Sequence, residues 1–214
     1  MRKTIVLLLC LLSVLGVSAQ KYWDSSRPDH RFTFGVRAGV NFAKQNNMDD
    51  GGDNNFRPGF HVGATADINI VRSFSVNTGV FYIQKGYKRD YSDYRGYIKT
   101  RNSASYIEIP VLASYRVELS DAAVFQLNLG PYFAYGTNGS LKVTNSIGDE
   151  SYEISSFDKY DGLKKFDTGI SVGVAVVYSN IYMGASYERS FVNVSNTNQK
   201  FQNGNILVTL GYNF

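Results

Sequence analysis

Cysteine is almost missing from this chain: Cys10 stands alone, inside an apolar run near the N-terminus. A disulfide framework is therefore excluded for everything beyond that run. Histidine is nearly as scarce, with His30 and His61 the two examples. No nucleophile, base and orienting group gather around either one, so the chain reads as no enzyme and no catalytic residue is expected. No segment carries a convincing 3.6-residue apolar period, and nothing after the N-terminal run approaches the ~20 apolar residues of a transmembrane helix. Charge lacks a dominant sign. The 22 Lys+Arg face 18 Asp+Glu, whereas general nucleic-acid binding needs a strong basic field, so no nucleic acid is expected as a partner.

What is present begins with a three-part leader. Arg2 and Lys3 precede the apolar stretch Ile5 to Val17, and the small residues Ser18 and Ala19 follow it. This pattern predicts a signal peptide over 1–19, cleaved after Ala19, with a retained anchor as the alternative. Residues 20–30 then form a periplasmic lead, and 31–214 a single domain. Proline occurs four times against 20 glycines, 16 tyrosines and 14 phenylalanines, a balance that leans towards strands and turns.

Alternation of period two is the strongest signal. Phe32, Phe34, Val36, Ala38, Val40 and Phe42 point one way, while Thr33, Gly35, Arg37, Gly39 and Asn41 point the other. Seven further stretches repeat it, the last being "ILVTLGYNF" at Ile206–Phe214. Long connections (near 43–56, 85–104, 137–165 and 192–204) alternate with short ones (near 71–73, 118–122 and 179–180). All long links must then leave one end of an up-and-down meander, the plan of an outer-membrane barrel. One stripe is Val, Ile, Leu, Phe and Ala with Tyr near its ends, as lipid contact requires; the other is Gly, Ser, Thr and Asn with isolated charges. The expected fold is all-β: an eight-stranded antiparallel up-and-down transmembrane β-barrel in the outer membrane of a Gram-negative bacterium. A soluble barrel carrying a ligand in the periplasm is the alternative.

The motifs "YIEIPVLASY" (Tyr106–Tyr115), "LNLGPYFAYG" (Leu127–Gly136), "FDTGISVGVAVVY" (Phe166–Tyr178) and the terminal "LGYNF" resemble the PorT-like outer-membrane β-barrel family. The resemblance covers nearly all of the mature chain. It implies fold and location, and for some members a part in protein secretion; it brings no catalytic residues.

Three groups of residues carry functional expectations. Arg37, Asp67, Glu108, Arg116, Asp167 and Glu188 share the inward parity and predict a salt-bridged lumen, since an unpaired buried charge is expensive. An ion-conducting path is the alternative. His61 is also inward and should find a hydrogen-bond partner. In "QKGYKRDYSDYRGYIKTRNS" (Gln84–Ser103), Lys85, Lys88, Arg89, Tyr91, Tyr94 and Arg95 interleave cations with aromatic rings. They suggest an external contact with lipopolysaccharide phosphates or an envelope or secretion protein partner, and otherwise strands continuing above the membrane. Tyr212 and Phe214 resemble the C-terminal signal read by the barrel-assembly machinery. No cofactor is expected. The oxygen-rich loop Asn46–Asn55 departs from EF-hand spacing and reads as solvated, with a calcium site as the alternative. Pro110 and Pro131 predict a bulge or a strand near the rim. The function so indicated is a non-enzymatic integral outer-membrane barrel, structural or interacting, with a secretion accessory or a small pore as alternatives.

Overall fold

A computed structural model describes residues 23–47, 54–93, 96–145, 150–157, 163–194 and 201–214. Its strands are β1 (Phe32–Asn47), β2 (Asn54–Asn55), β3 (Arg57–Val71), β4 (Phe74–Asp93), β5 (Gly96–Ser120), β6 (Ala123–Asn145), β7 (Glu150–Ser155), β8 (Phe166–Tyr178), β9 (Ile181–Ser190) and β10 (Phe201–Asn213). The eight long strands pair antiparallel in the ring order β1-β3-β4-β5-β6-β8-β9-β10. The ring closes where β1 meets β10, in unbroken register from Gly35↔Asn213 to Asn47↔Phe201. Closure satisfies the backbone of every wall strand without a free edge, the condition for crossing lipid with strands. The short β2 and β7 add to β4 and β6 beyond the barrel.

Burial is inverted relative to a soluble protein. Leu210 is 61% exposed and Leu129 53%, while Asp167 is 0% exposed and Arg37 4%. Charges almost never sit so deep in soluble proteins without partners, and apolar side chains rarely line a whole exterior. The two-residue period sets this division directly: each strand turns one stripe to lipid and the other to the lumen.

Two expectations need correction. The stretches 85–104 and 137–165, expected as long connections, are not mainly loop, and for 85–104 the alternative of strands continuing above the membrane holds. β4 and β5 stay paired from Tyr82↔Ile107 up to Asp93↔Gly96, and β6 runs on to Asn145 with β7 beside it. Continued pairing satisfies backbone groups that a loop would leave to water. Nor do the prolines mark a bulge or the rim. Pro110 and Pro131 lie well inside β5 and β6, and the register is the same on both sides of each. The ladder lapses beside them, as it must without an N–H, and Thr78 Oγ1 donates to the Pro110 carbonyl at 2.8 Å.

The lead fastens to the β3–β4 turn. Ser73 N donates to Asp24 O (3.1 Å) and Arg72 N to Ser26 O (3.2 Å), while Arg72 pairs with Asp29 at 2.9 Å. The hydrogen bond and charge of Asp29 hold the Arg72 guanidinium above its ordinary pKa. Trp23 stacks on Tyr115 with ring centroids 6.0 Å apart. Residues 1–19, expected from the sequence to be a signal peptide, lie outside the described residues.

Candidate functional site

The lumen is filled by polar groups in two tiers. In the outer tier, Lys85 Nζ lies 2.6 Å from Glu108, 3.5 Å from Glu188 and 3.7 Å from Asp167. Its ammonium also sits 4.3 Å from the centre of the Tyr132 ring, a favourable placement over a π-face. Asp167 accepts from Ser190 Oγ at 2.6 Å and Asn203 Nδ2 at 3.1 Å. Glu188 accepts from Asn205 Nδ2 at 3.4 Å, and Asn205 in turn accepts from Asn41 at 3.1 Å. One cation thus serves three carboxylates drawn from β5, β8 and β9.

Lys85, which the sequence pattern places among the external contacts, is an internal one. The polar parity of β4 runs Ser75, Asn77, Gly79, Phe81, Ile83, Lys85, so the alternation carries its side chain inward. Phe81 and Ile83 obscured that stripe by being apolar, although both face the lumen side. Lys88 remains at the outer surface, half-buried. The side chains of Arg89 and Tyr91, and all of Tyr94 and Arg95, lie outside the described residues, as does the proposed calcium loop's 48–53 segment.

In the inner tier, Arg116 donates to Asp67 at 2.8 Å and to Asn69 at 2.6 Å, and Asn77 also donates to Asp67. Arg37 donates to Asn213 Oδ1 at 2.7 Å and lies 4.0 Å over the Tyr182 ring. Gly35 and Gly211 flank it; a Cβ at either would collide with the guanidinium. His61 Nε2 is 2.9 Å from Thr209 Oγ1. Between the tiers remains a cavity of ≈ 70 Å³, touched by Arg37, His61, Thr65, Glu108 and Asn128, room for a few waters rather than a conduit.

An apolar cap covers the outer tier. Leu163 and Val194, from the segments that follow β7 and β9, pack with Tyr106, Tyr132, Ile83 and Ala104, and Phe157 and Val192 pack against this cluster. Backbone bonds fix the cap: Lys164 N donates to Val194 O at 2.8 Å, and Leu163 N to Ser156 O at 2.6 Å. The sequence hid this arrangement because the cap residues sit in irregular segments with no period to read.

At the other end, Phe214 N donates to Phe34 O at 2.8 Å. Its ring meets Tyr212 edge-on at 5.4 Å and is 73% exposed on the outer face. Among the described residues, no cluster of His, Cys, Asp and Glu has the makings of a metal site.

Comparison with curated protein sequences finds no match. Among solved structures, the chain is similar to Ail of Yersinia pestis, with 15% identity over 86% of this chain and 100% of that one, at a TM-score of 0.41. Neisserial surface protein A shares 16% identity over 85% and 97%, with a TM-score of 0.42. OprG from Pseudomonas aeruginosa shares 9% identity over 90% and 99%, with a TM-score of 0.50. Identities this low speak to fold alone. The model for the outer membrane protein beta-barrel domain matches residues 18–196, and with the closed eight-strand ring and lipid-facing apolar wall, this chain belongs to that outer-membrane barrel family.

Proposed function

We propose that the protein is a non-enzymatic, non-conducting barrel that serves the envelope as a structural and interaction protein. The observation that carries this reading is Lys85 bound to three carboxylates beneath an apolar cap. An ion would have to displace that pairing and cross Leu163 and Val194, whereas conducting barrels are wider and water-filled. What the barrel offers its surroundings is the paired extension of β4, β5, β6 and β7, where Lys88 and its neighbours Arg101 and Lys142 supply cations to lipopolysaccharide or a protein partner. Planar-bilayer recording of the purified protein is the test: a silent bilayer is the expected result, and stable conductance steps would overturn the reading.

A secretion-accessory role is the second reading, favoured by the PorT-like motifs that form the walls of β5, β6 and β8. Loss of exported cargo from a deletion strain would support it, and unchanged export would exclude it.

The leader at 1–19 and the C-terminal aromatic pair belong to biogenesis in this reading. Phe214 is held by one backbone bond and leaves its ring exposed, so packing alone gives it about 1–2 kcal/mol. If the assembly machinery reads it, deleting Phe214 lowers the amount inserted in cells while micelle refolding stays near that of the parent. Equal insertion of the two in cells would remove the recognition role.

A further inference from the structure

The outer face of the β4–β5–β6 wall carries cations that the lumen does not use. Lys88 stands opposite Arg101 across β4–β5, and Arg101 stands opposite Lys142 across β5–β6. Directly opposed partners lie about 4.5–5.5 Å apart at Cβ, and like charges so placed repel. A row of three is therefore unfavourable unless an anion lies across it. Arg57 joins them: it reaches over Gly86 to the Lys85 carbonyl at 3.4 Å, and a Cβ on Gly86 would come within 2.8 Å of its Nη1. All four cations line one surface cleft of ≈ 380 Å³ together with Ser103 and Ser140, and none of the described residues lining it is a carboxylate. Glu153 is in register with Lys142 from the β7 side, yet among the described residues no ion pair links any of the four to a carboxylate.

The position of the row points to the ligand. Exposed Ile107 and Tyr135 face each other on β5 and β6 at the top of the apolar wall. Arg101 lies six residues further along β5, which is about 20 Å of strand and about 15 Å of height at the tilt of a barrel wall. Directly below the cations, Gly86, Ser103 and Ser140 occupy matching positions, so the wall recedes beneath them. Cations on a wall that looks sideways, about 15 Å above the apolar belt, face the sugars and phosphates of the outer leaflet rather than bulk solvent.

We propose that Arg57, Lys88, Arg101 and Lys142 form a phosphate-binding site for a phosphorylated glycolipid of the outer leaflet. The assignment rests on the reading of the extended wall as an interaction surface and gives that surface its ligand. Phosphate oxygens placed between the opposed cations convert their repulsion into charge-assisted hydrogen bonds.

Full-length protein refolded in detergent micelles is titrated with purified lipopolysaccharide, intact or enzymatically dephosphorylated. The variants are the triple Lys88→Gln/Arg101→Gln/Lys142→Gln and, as a control of equal charge, Lys164→Gln/Lys165→Gln/Arg189→Gln, which removes exposed cations elsewhere. Heat-dependent gel mobility verifies that both fold. The parent should bind the intact glycolipid with an affinity that falls as salt rises. The triple variant should lose about tenfold or more, dephosphorylation should have a similar effect on the parent, and the control should bind like the parent. Equal binding by parent and triple variant, or an equal loss in the control, would overturn the site. Indifference to dephosphorylation would exclude phosphate as its target, and equally tight binding of inorganic pyrophosphate would exclude the glycolipid. The bilayer recordings are independent of these residues, so failure here leaves the sealed-lumen reading untouched.

Discussion

Lys85→Met is expected to destabilise the barrel by about 3–5 kcal/mol, the usual penalty for leaving a buried ionic partner without its counter-charge. The size follows from the stoichiometry of the site. Glu108, Asp167 and Glu188 are each at most 4% exposed, and they share this one ammonium. Serine and asparagine donors soften the loss at Asp167 and Glu188 but carry no charge. Glu108, whose carboxylate is nearest to the ammonium, loses most. The double variant Lys85→Met/Glu108→Gln should recover part of the loss, because a neutral amide no longer needs a cation. Lys88→Met, three residues along the same strand but at the surface, should change stability by less than about 1 kcal/mol. Urea unfolding in micelles measures all three. If Lys85→Met unfolded together with Lys88→Met, the outer tier would not be holding the barrel.

The second large effect lies on the other side of the wall. Val174 is 46% exposed and stands between Leu127 and Ala185 on neighbouring strands. An arginine there meets hydrocarbon, at about 2–4 kcal/mol near the midplane. Ser171 is three residues away and faces inward at 3% exposure; Ser171→Ala loses at most one hydroxyl contact, about 1 kcal/mol. Unfolding in lipid vesicles should therefore separate the two clearly. A Val174→Arg barrel as stable as the parent would mean that this face does not touch lipid.

The wall was legible because its physics has a two-residue period. Wherever Gly, Ser, Asn or a charge alternated with Val, Leu or Phe, parity alone assigned the side, and Arg37, Asp67, Glu108, Asp167 and Glu188 are all found in the interior. Parity became unreadable where both faces of β4 were apolar, and Lys85 was misplaced for that reason. The cap could not be foreseen: Leu163 and Val194 lie in irregular segments without a period to read, and only the third dimension brings them over Tyr106. The extension of β4 and β5 beyond the membrane was one of the two readings of Gln84–Ser103, whereas that of β6 was hidden by composition, since Lys, Asn and Thr suit a solvated strand as well as a loop.

Arg37 has a consequence for the order in which the molecule is made. Its guanidinium, anchored on the first wall strand, is satisfied by Asn213 at a sequence separation of 176. By chain statistics, a contact that distant costs roughly 2–3 kcal/mol more in loop-closure entropy than one ten residues away, and high contact order of this kind slows folding. Neighbouring hairpins can form early; this seam comes last. Until β10 docks, Arg37 has neither the Asn213 acceptor nor the complete ring of strands that excludes lipid from it. An unfinished barrel thus exposes a cation that the membrane interior rejects, and the closed one hides it, which makes a single side chain a chemical record of whether the ring has closed.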